Sequence, residues 1–188
     1  MIKKILVVLI LNLMFFSNTN SEERNLELNK LFNHLKNNSN VSMAFEVEKK
    51  IWEIWSIHPS NNRKGYRLTE LLAKGSFLMS QQEFNKAYQI FTQIILADPS
   101  WFEAWNKRAT VLYMMGKYED SQKDINQVLK LEKRHFGALS GQGLVQTELK
   151  NYEKAINSYL EVQKIYPSME AAKVMIPHLK ELIKGQSI

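Results

Sequence analysis

Cysteine is absent from the 188 residues, which excludes disulfides, thiolate metal sites, cysteine nucleophiles and a lipid-modified amino-terminal cysteine together. Glycine and proline are scarce, at 7 and 4, too few for a collagen-like or low-complexity chain. With 45% hydrophobic and 23% charged residues, the composition is that of one ordinary folded domain with a real core. Neither sign of charge dominates, since 25 Lys and Arg against 19 Asp and Glu leave +6. Basic residues are interleaved with acids, as in Lys117-Tyr118-Glu119-Asp120, so the dense basic face of a nucleic-acid binder is missing and nucleic acid is not an expected partner. Long apolar runs are also lacking. The stretch from Ile5 to Phe16, broken by Asn12, falls well short of the roughly 20 residues that cross a bilayer as a helix. Lys3 and Lys4 precede it and small polar residues follow, so residues 1–21 have the layout of a secretory signal peptide, with Thr19 and Ser21 ahead of a mature start at Glu22. The expected destination is the periplasm or cell envelope, with membrane attachment only if that segment is retained.

What is present is a period. A step of 34 residues carries Gly75 to Ala109 and Gly143, Phe84 to Tyr118 and Tyr152, Ala87 to Ser121 and Ala155, and Phe91 to Ile125 and Tyr159. Asp98-Pro99 and Tyr166-Pro167 close the first and third units, while Glu132-Lys133 stands in that place in the second. Small residues in register let two helices approach closely, and the rings fill the gaps between them. Gly116 and the polar clusters Ser80-Gln81-Gln82 and Lys150-Asn151 supply a turn inside each unit. A hairpin apolar on both broad sides must stack on its neighbours, which predicts an all-α solenoid.

These columns resemble the tetratricopeptide (TPR) repeat. The second unit gives Trp105, Ala109, Tyr118, Ser121 and Ile125; the third Leu139, Gly143, Tyr152, Ala155, Tyr159 and Pro167; the first Leu71, Gly75, Phe84, Ala87, Phe91 and Pro99. The resemblance covers residues 68–167, divided as 68–101, 102–135 and 136–167. It departs from the family pattern at Lys133 in place of proline and at Lys74, Arg108 and Gln142 in place of leucine. Ahead of the repeats, residues 22–59 carry two apolar stripes, one through Leu28 and Phe32 and one through Ile51, Trp52 and Trp55, expected to form a hairpin like a degenerate repeat. The polar link from Ser60 to Tyr66 predicts that this hairpin docks loosely. After the repeats, Ser168 is expected to cap a closing helix over 168–184 that begins at Met169, buries Ala172, Met175, Ile176, Leu179 and Leu182, and kinks at Pro177.

Chemistry is hard to find. His34, His58, His135 and His178 are never at metal-ligand spacing, so no metal or cofactor is expected. Ser140, within Gly137-Ala138-Leu139-Ser140-Gly141-Gln142-Gly143, lacks the flanking glycine and the strand of a nucleophile elbow. Arg108 and Asp124 are expected to form an ion pair within the second unit; the competing reading turns Arg108 outward to a ligand.

The TPR resemblance implies that the first helix of each unit lines a concave face that holds a peptide or helix. Carried over residue by residue, that face is Ser76, Met79 and Ser80, then Asn106, Lys107, Thr110 and Tyr113, then Ser140, Leu144, Thr147 and Glu148. Hydroxyls and amides dominate it, which suits recognition of a peptide backbone. Family members that clamp the carboxylate of a chaperone tail use cations where this chain has Gly137 and Gly141. Those glycines are expected to thin the groove wall and admit a bulky side chain or a second chain. The expected function is therefore a non-catalytic scaffold binding a protein or peptide. A small-ligand receptor or enzyme built on Arg108, His135 and Ser140 is the alternative.

Overall fold

The computed structural model describes residues 22–38 and 40–186; the signal-like segment 1–21 lies outside them. Among the described residues the chain forms nine helices and no strand: α1 (22–37), α2 (Val41–Ser56), α3 (Arg63–Ser80), α4 (Phe84–Ala97), α5 (Phe102–Met114), α6 (Tyr118–Leu131), α7 (Phe136–Glu148), α8 (Tyr152–Ile165) and α9 (Glu170–Gln186). Helices α3–α4, α5–α6 and α7–α8 are the three repeat hairpins, each packed on the next, and α9 packs on α8. The fold is the all-α, TPR-type solenoid that the period predicts.

Each hairpin turns in the same way. Gln82, Gly116 and Lys150, 34 residues apart, hold φ values of 61°, 72° and 59°, the left-handed conformation that closes a helix. The next residue's N–H reaches back to the carbonyl of Leu78, Leu112 or Gln146 at 2.9, 2.9 and 2.8 Å, completing the Schellman pattern three times. Only the middle unit uses glycine there.

The small-residue column is matched to what it faces. A Cβ added at Gly75 would stand 2.5 Å from the Phe91 ring, and one at Gly143 2.5 Å from the Tyr159 ring. In the middle unit the opposing residue is Ile125, and Ala109 fits beside it in one core cluster. Overpacking costs about 1–3 kcal/mol, more than the roughly 1 kcal/mol that alanine gains over glycine in a helix, and the fully buried Tyr159 ring has no room to yield. Gly143→Ala is therefore expected to lower stability in urea, while Gly143→Ala with Tyr159→Ile, copying the middle unit, should recover most of the loss. A more stable single variant would sink this reading.

Helix α9 closes the stack by burying Ala172, Ile176 and Leu179 against Ala155, Tyr159 and Val162. Ser168 is not its cap. The helix starts at Glu170, where the Met169 carbonyl accepts from Lys173 N–H at 3.4 Å. The turn from Tyr166 to Met169 buries Ser168, whose Oγ finds no partner among the described residues. The helix continues through Pro177.

The amino-terminal hairpin departs most from expectation. It is not loosely docked, and it does not extend the stack ahead of α3 as an extra repeat would. The link is shorter than its composition implies, because Asn62 accepts from Gly65 N–H at 2.9 Å and starts α3 at Arg63. Leu28, Phe32, Leu35, Ala44, Ile51 and Trp55 are buried together with Phe136 and Tyr166 of the third unit. Helix α2 thus lies along the row of turns that join one unit to the next. His58 Nε2 meets Asp98 at 2.8 Å after the first unit, Trp55 stacks on His135 after the second, with ring centroids 4.2 Å apart, and Glu48 accepts from the Tyr166 hydroxyl at 3.0 Å after the third.

Candidate functional site

Helices α5 and α7 face each other across a hollow of ≈ 200 Å³. Its walls include Asn106, Thr110, Tyr113, Ser140 and Leu144, and Ile125 and Ser121 of α6 form the floor. Gly141 opens it: a Cβ there would meet only Ile125 Cδ1, at 3.7 Å. Gly137 is different, because a Cβ would stand 2.5 Å from the Trp52 ring. That glycine makes room for Trp52 of α2, which takes the space its side chain would fill, so although its backbone lines the hollow it is Gly141 that opens it, which corrects half of the expectation that the glycines thin the wall.

The hydroxyls of this face are turned to their own helices. Ser76 donates to the Leu72 carbonyl at 2.9 Å, Ser80 to Phe77 at 2.7 Å, Thr110 to Asn106 at 3.0 Å and Thr147 to Gly143 at 2.8 Å. A partner at these positions meets hydroxyl lone pairs, since the protons are already committed. Ser140 Oγ approaches Met169 Sδ at 3.6 Å, and the Tyr113 hydroxyl donates to Glu148 at 3.4 Å. Ser76, Met79 and Ser80 belong to α3 and line no part of the α5–α7 hollow.

Asn106 and Lys107 serve the interior. Both turn toward Glu103, a carboxylate with no solvent exposure. Asn106 Nδ2 donates to its two oxygens at 3.3 and 3.2 Å, Lys107 Nζ lies 3.2 Å away, and His135 Nε2 lies 3.1 Å away. His135 Nδ1 accepts the Ala138 backbone N–H at 3.0 Å, capping α7, so the ring proton sits on Nε2 and is donated to Glu103. Burial by itself would raise the Glu103 carboxyl, but the hydrogen bond from His135 and the charge and hydrogen bond of Lys107 outweigh it and hold the group below the usual carboxylate range. Lys107 also lies 5.5 Å over the Trp52 ring. This cluster was not legible in the order of residues, because a carboxylate on a helix reads as solvated until a distant segment covers it.

Arg108 is held on every side. Its Nε and Nη2 donate to the two oxygens of Asp124 at 2.7 and 2.8 Å, and Nη1 donates to Thr92 Oγ1 at 3.1 Å. The guanidinium carbon lies 5.0 Å over Trp105 and 5.5 Å over Tyr88. Burial lowers its proton affinity, yet the Asp124 pair more than offsets this and raises it. Arg108, His135 and Ser140 thus answer to three different neighbours and form no common constellation. Among the described residues, no three His, Cys, Asp or Glu side chains are placed to hold a metal ion.

Residues 138–169 match the family model described as tetratricopeptide repeat. A TPR repeat-containing protein of Rhizobium etli is 30% identical over 159 residues, spanning 84% of this chain and 75% of that protein. Hsp70-Hsp90 organizing protein 1 of Glycine max is 28% identical over 99 residues, 53% of this chain but only 17% of that much longer protein. Among solved structures, the first TPR of Spaghetti (RPAP3) bound to the HSP90 peptide SRMEEVD superposes with a TM-score of 0.61 at 21% identity, covering 62% of this chain and 93% of that one.

Proposed function

Because the chain belongs to the tetratricopeptide repeat family, we propose that it is a non-catalytic interaction module, exported to the periplasm or cell envelope, that receives a segment of a protein partner in its concave face. The α5–α7 hollow carries this reading. It is concave, mostly apolar and rimmed by a few polar groups, as binding sites are, and its volume of ≈ 200 Å³ suits one large side chain of a bound peptide or helix. Neighbouring TPR structures hold chaperone-derived peptides, such as SRMEEVD on RPAP3. Gly137 and Gly141 stand where a carboxylate clamp needs cations, so the occupant here is anchored by shape and apolar contact. Export rests on the basic, apolar and small-polar layout of residues 1–21.

A photocrosslinking residue in place of Leu144 should capture a defined partner from an envelope extract. Gly141→Leu, whose side chain would fill the hollow, should reduce that capture about tenfold, the loss expected when a central anchor is blocked, with an unchanged thermal melt. Undiminished capture by the plugged variant would refute the site. Intact mass of the native protein tests export separately: a chain still carrying residues 1–21 in the cytosolic fraction would refute it.

A further inference from the structure

The opposite side of α7 bears a second recess, and the 34-residue register explains why it is open. Where the first and second units meet, the groove between α4 and α6 is filled by Arg108, fixed to Asp124 and Thr92 over the Tyr88 ring. One period later the same places hold Gln142 for Arg108, Ser158 for Asp124, Asn126 for Thr92, Gln122 for Tyr88 and Gln146 for Leu112. Ring, guanidinium and carboxylate have all become neutral, shorter side chains. The result is a cleft of ≈ 400 Å³ between α6 and α8, floored by α7.

Its groups are organised. Ser158 Oγ stands 3.0 Å from Gln142 Oε1, the counterpart of the Arg108–Asp124 contact, and 3.0 Å from the Lys154 carbonyl, the two acceptors within reach of its one proton. Gln146, 8% exposed, donates to Gln122 Oε1 at 2.7 Å and accepts from Asn151 at 3.0 Å, and Gln122 donates to Asn126 at 2.8 Å. Gln142 and Asn157 line the cleft, and among the described residues none of these contacts takes up their side-chain N–H groups. A carboxamide carries donor and acceptor side by side, the same pair that a peptide group presents.

We infer that this amide-lined cleft is a second binding site, independent of the α5–α7 hollow, which takes a short extended stretch of polypeptide through its main chain. From Lys154 to Glu161, the α8 residues on the cleft span about two helical turns, ~10 Å, the length of roughly three extended residues at ~3.3 Å each. Among the described residues no aromatic side chain lines the cleft, so they offer no stacking platform for a sugar ring. Glu161 is already paired with Lys164 at 2.5 Å, so the Lys154 end supplies the net charge and favours an acidic residue beside the bound stretch.

The test is a titration of the ¹⁵N-labelled processed chain, reading the side-chain amide resonances of Gln122, Asn126, Gln142 and Gln146. The probes are the blocked peptide acetyl-Ser-Asn-Ser-Glu-amide, its lysine-for-glutamate counterpart, and maltose. Saturable shifts with a dissociation constant on the order of 1 mM are expected for the acidic peptide. The lysine peptide should bind about threefold more weakly, the scale of one exposed charge contact reversed, and maltose should leave the resonances in place. Gln142→Arg with Ser158→Asp copies the filled recess and should abolish the shifts. Asn126→Ala and Asn157→Ala, at exposed positions, should weaken binding roughly threefold without touching the fold. Absent shifts, shifts from maltose alone, or binding unchanged in both sets of variants would overturn the site.

Discussion

Glu103→Ala should lower the unfolding free energy by about 3–5 kcal/mol, the range for removing one partner of a buried, hydrogen-bonded charge cluster. The carboxylate is fully buried and joins His135 and Asn106, with Lys107 beside it. Its loss strands several donors at once, and a buried donor without an acceptor costs more than an exposed bond is worth. Glu103→Gln keeps the volume and one acceptor, so urea denaturation should show a smaller loss. The pair also predicts an acid response. A carboxyl held below its unfolded value of about 4.3 contributes stability that is present above that pH and is lost as pH falls through the folded value. Wild-type stability should thus fall more steeply on acidification below about pH 4.3 than that of Glu103→Gln. Parallel acid limbs would show that Glu103 does not carry the effect.

Trp55→Ala is the second large expectation, at about 3–5 kcal/mol for deleting a buried indole. Its ring stacks on His135 and meets Phe32, Trp52, Phe102 and Phe136 at centroid distances of 5.2 to 5.8 Å, so the cavity would open where both halves of the molecule join. Limited proteolysis should then cut between residues 37 and 63 well before the repeats. Trp55→Phe should be milder than its lost volume suggests, because Trp55 Nε1 is buried without a partner among the described residues and phenylalanine removes that unsatisfied donor. Resistance to protease equal to wild type in Trp55→Ala would contradict the assignment of this residue as the hairpin's anchor.

What could be read in advance follows from the range of each contact. Gly75 meets Phe91 and Gly143 meets Tyr159 within a single helical hairpin, and the same spacing recurs in register, so the period exposed both the elements and their pairing. The turns at Gln82, Gly116 and Lys150 were marked by polar residues or glycine for the same local reason. The hairpin was legible as two helices, but its seat was not. Glu48 finds Tyr166 across 118 residues, and no periodicity links them. That one unseen contact surface accounts for several corrections: it covers Glu103, draws Lys107 and Asn106 inward, and fills the space at Gly137 with Trp52. Arg108 was approachable from sequence because Asp124 lies only 16 residues away on the partner helix.

Repeat stacks ordinarily behave as one-dimensional chains of nearest neighbours, free to fray from either end. Here α2 and the residues that follow it touch the joints after each of the first, second and third units, Glu48 and Trp55 from the helix and His58 from just beyond its end. This segment acts as a strut across the arc: the curvature of the superhelix is fixed by a covalently attached brace, and the terminal unit cannot peel away while the brace is seated. Melting is therefore expected to be cooperative over the whole length. The same arrangement raises the contact order, so folding slower than that of an unbraced stack of equal length is expected.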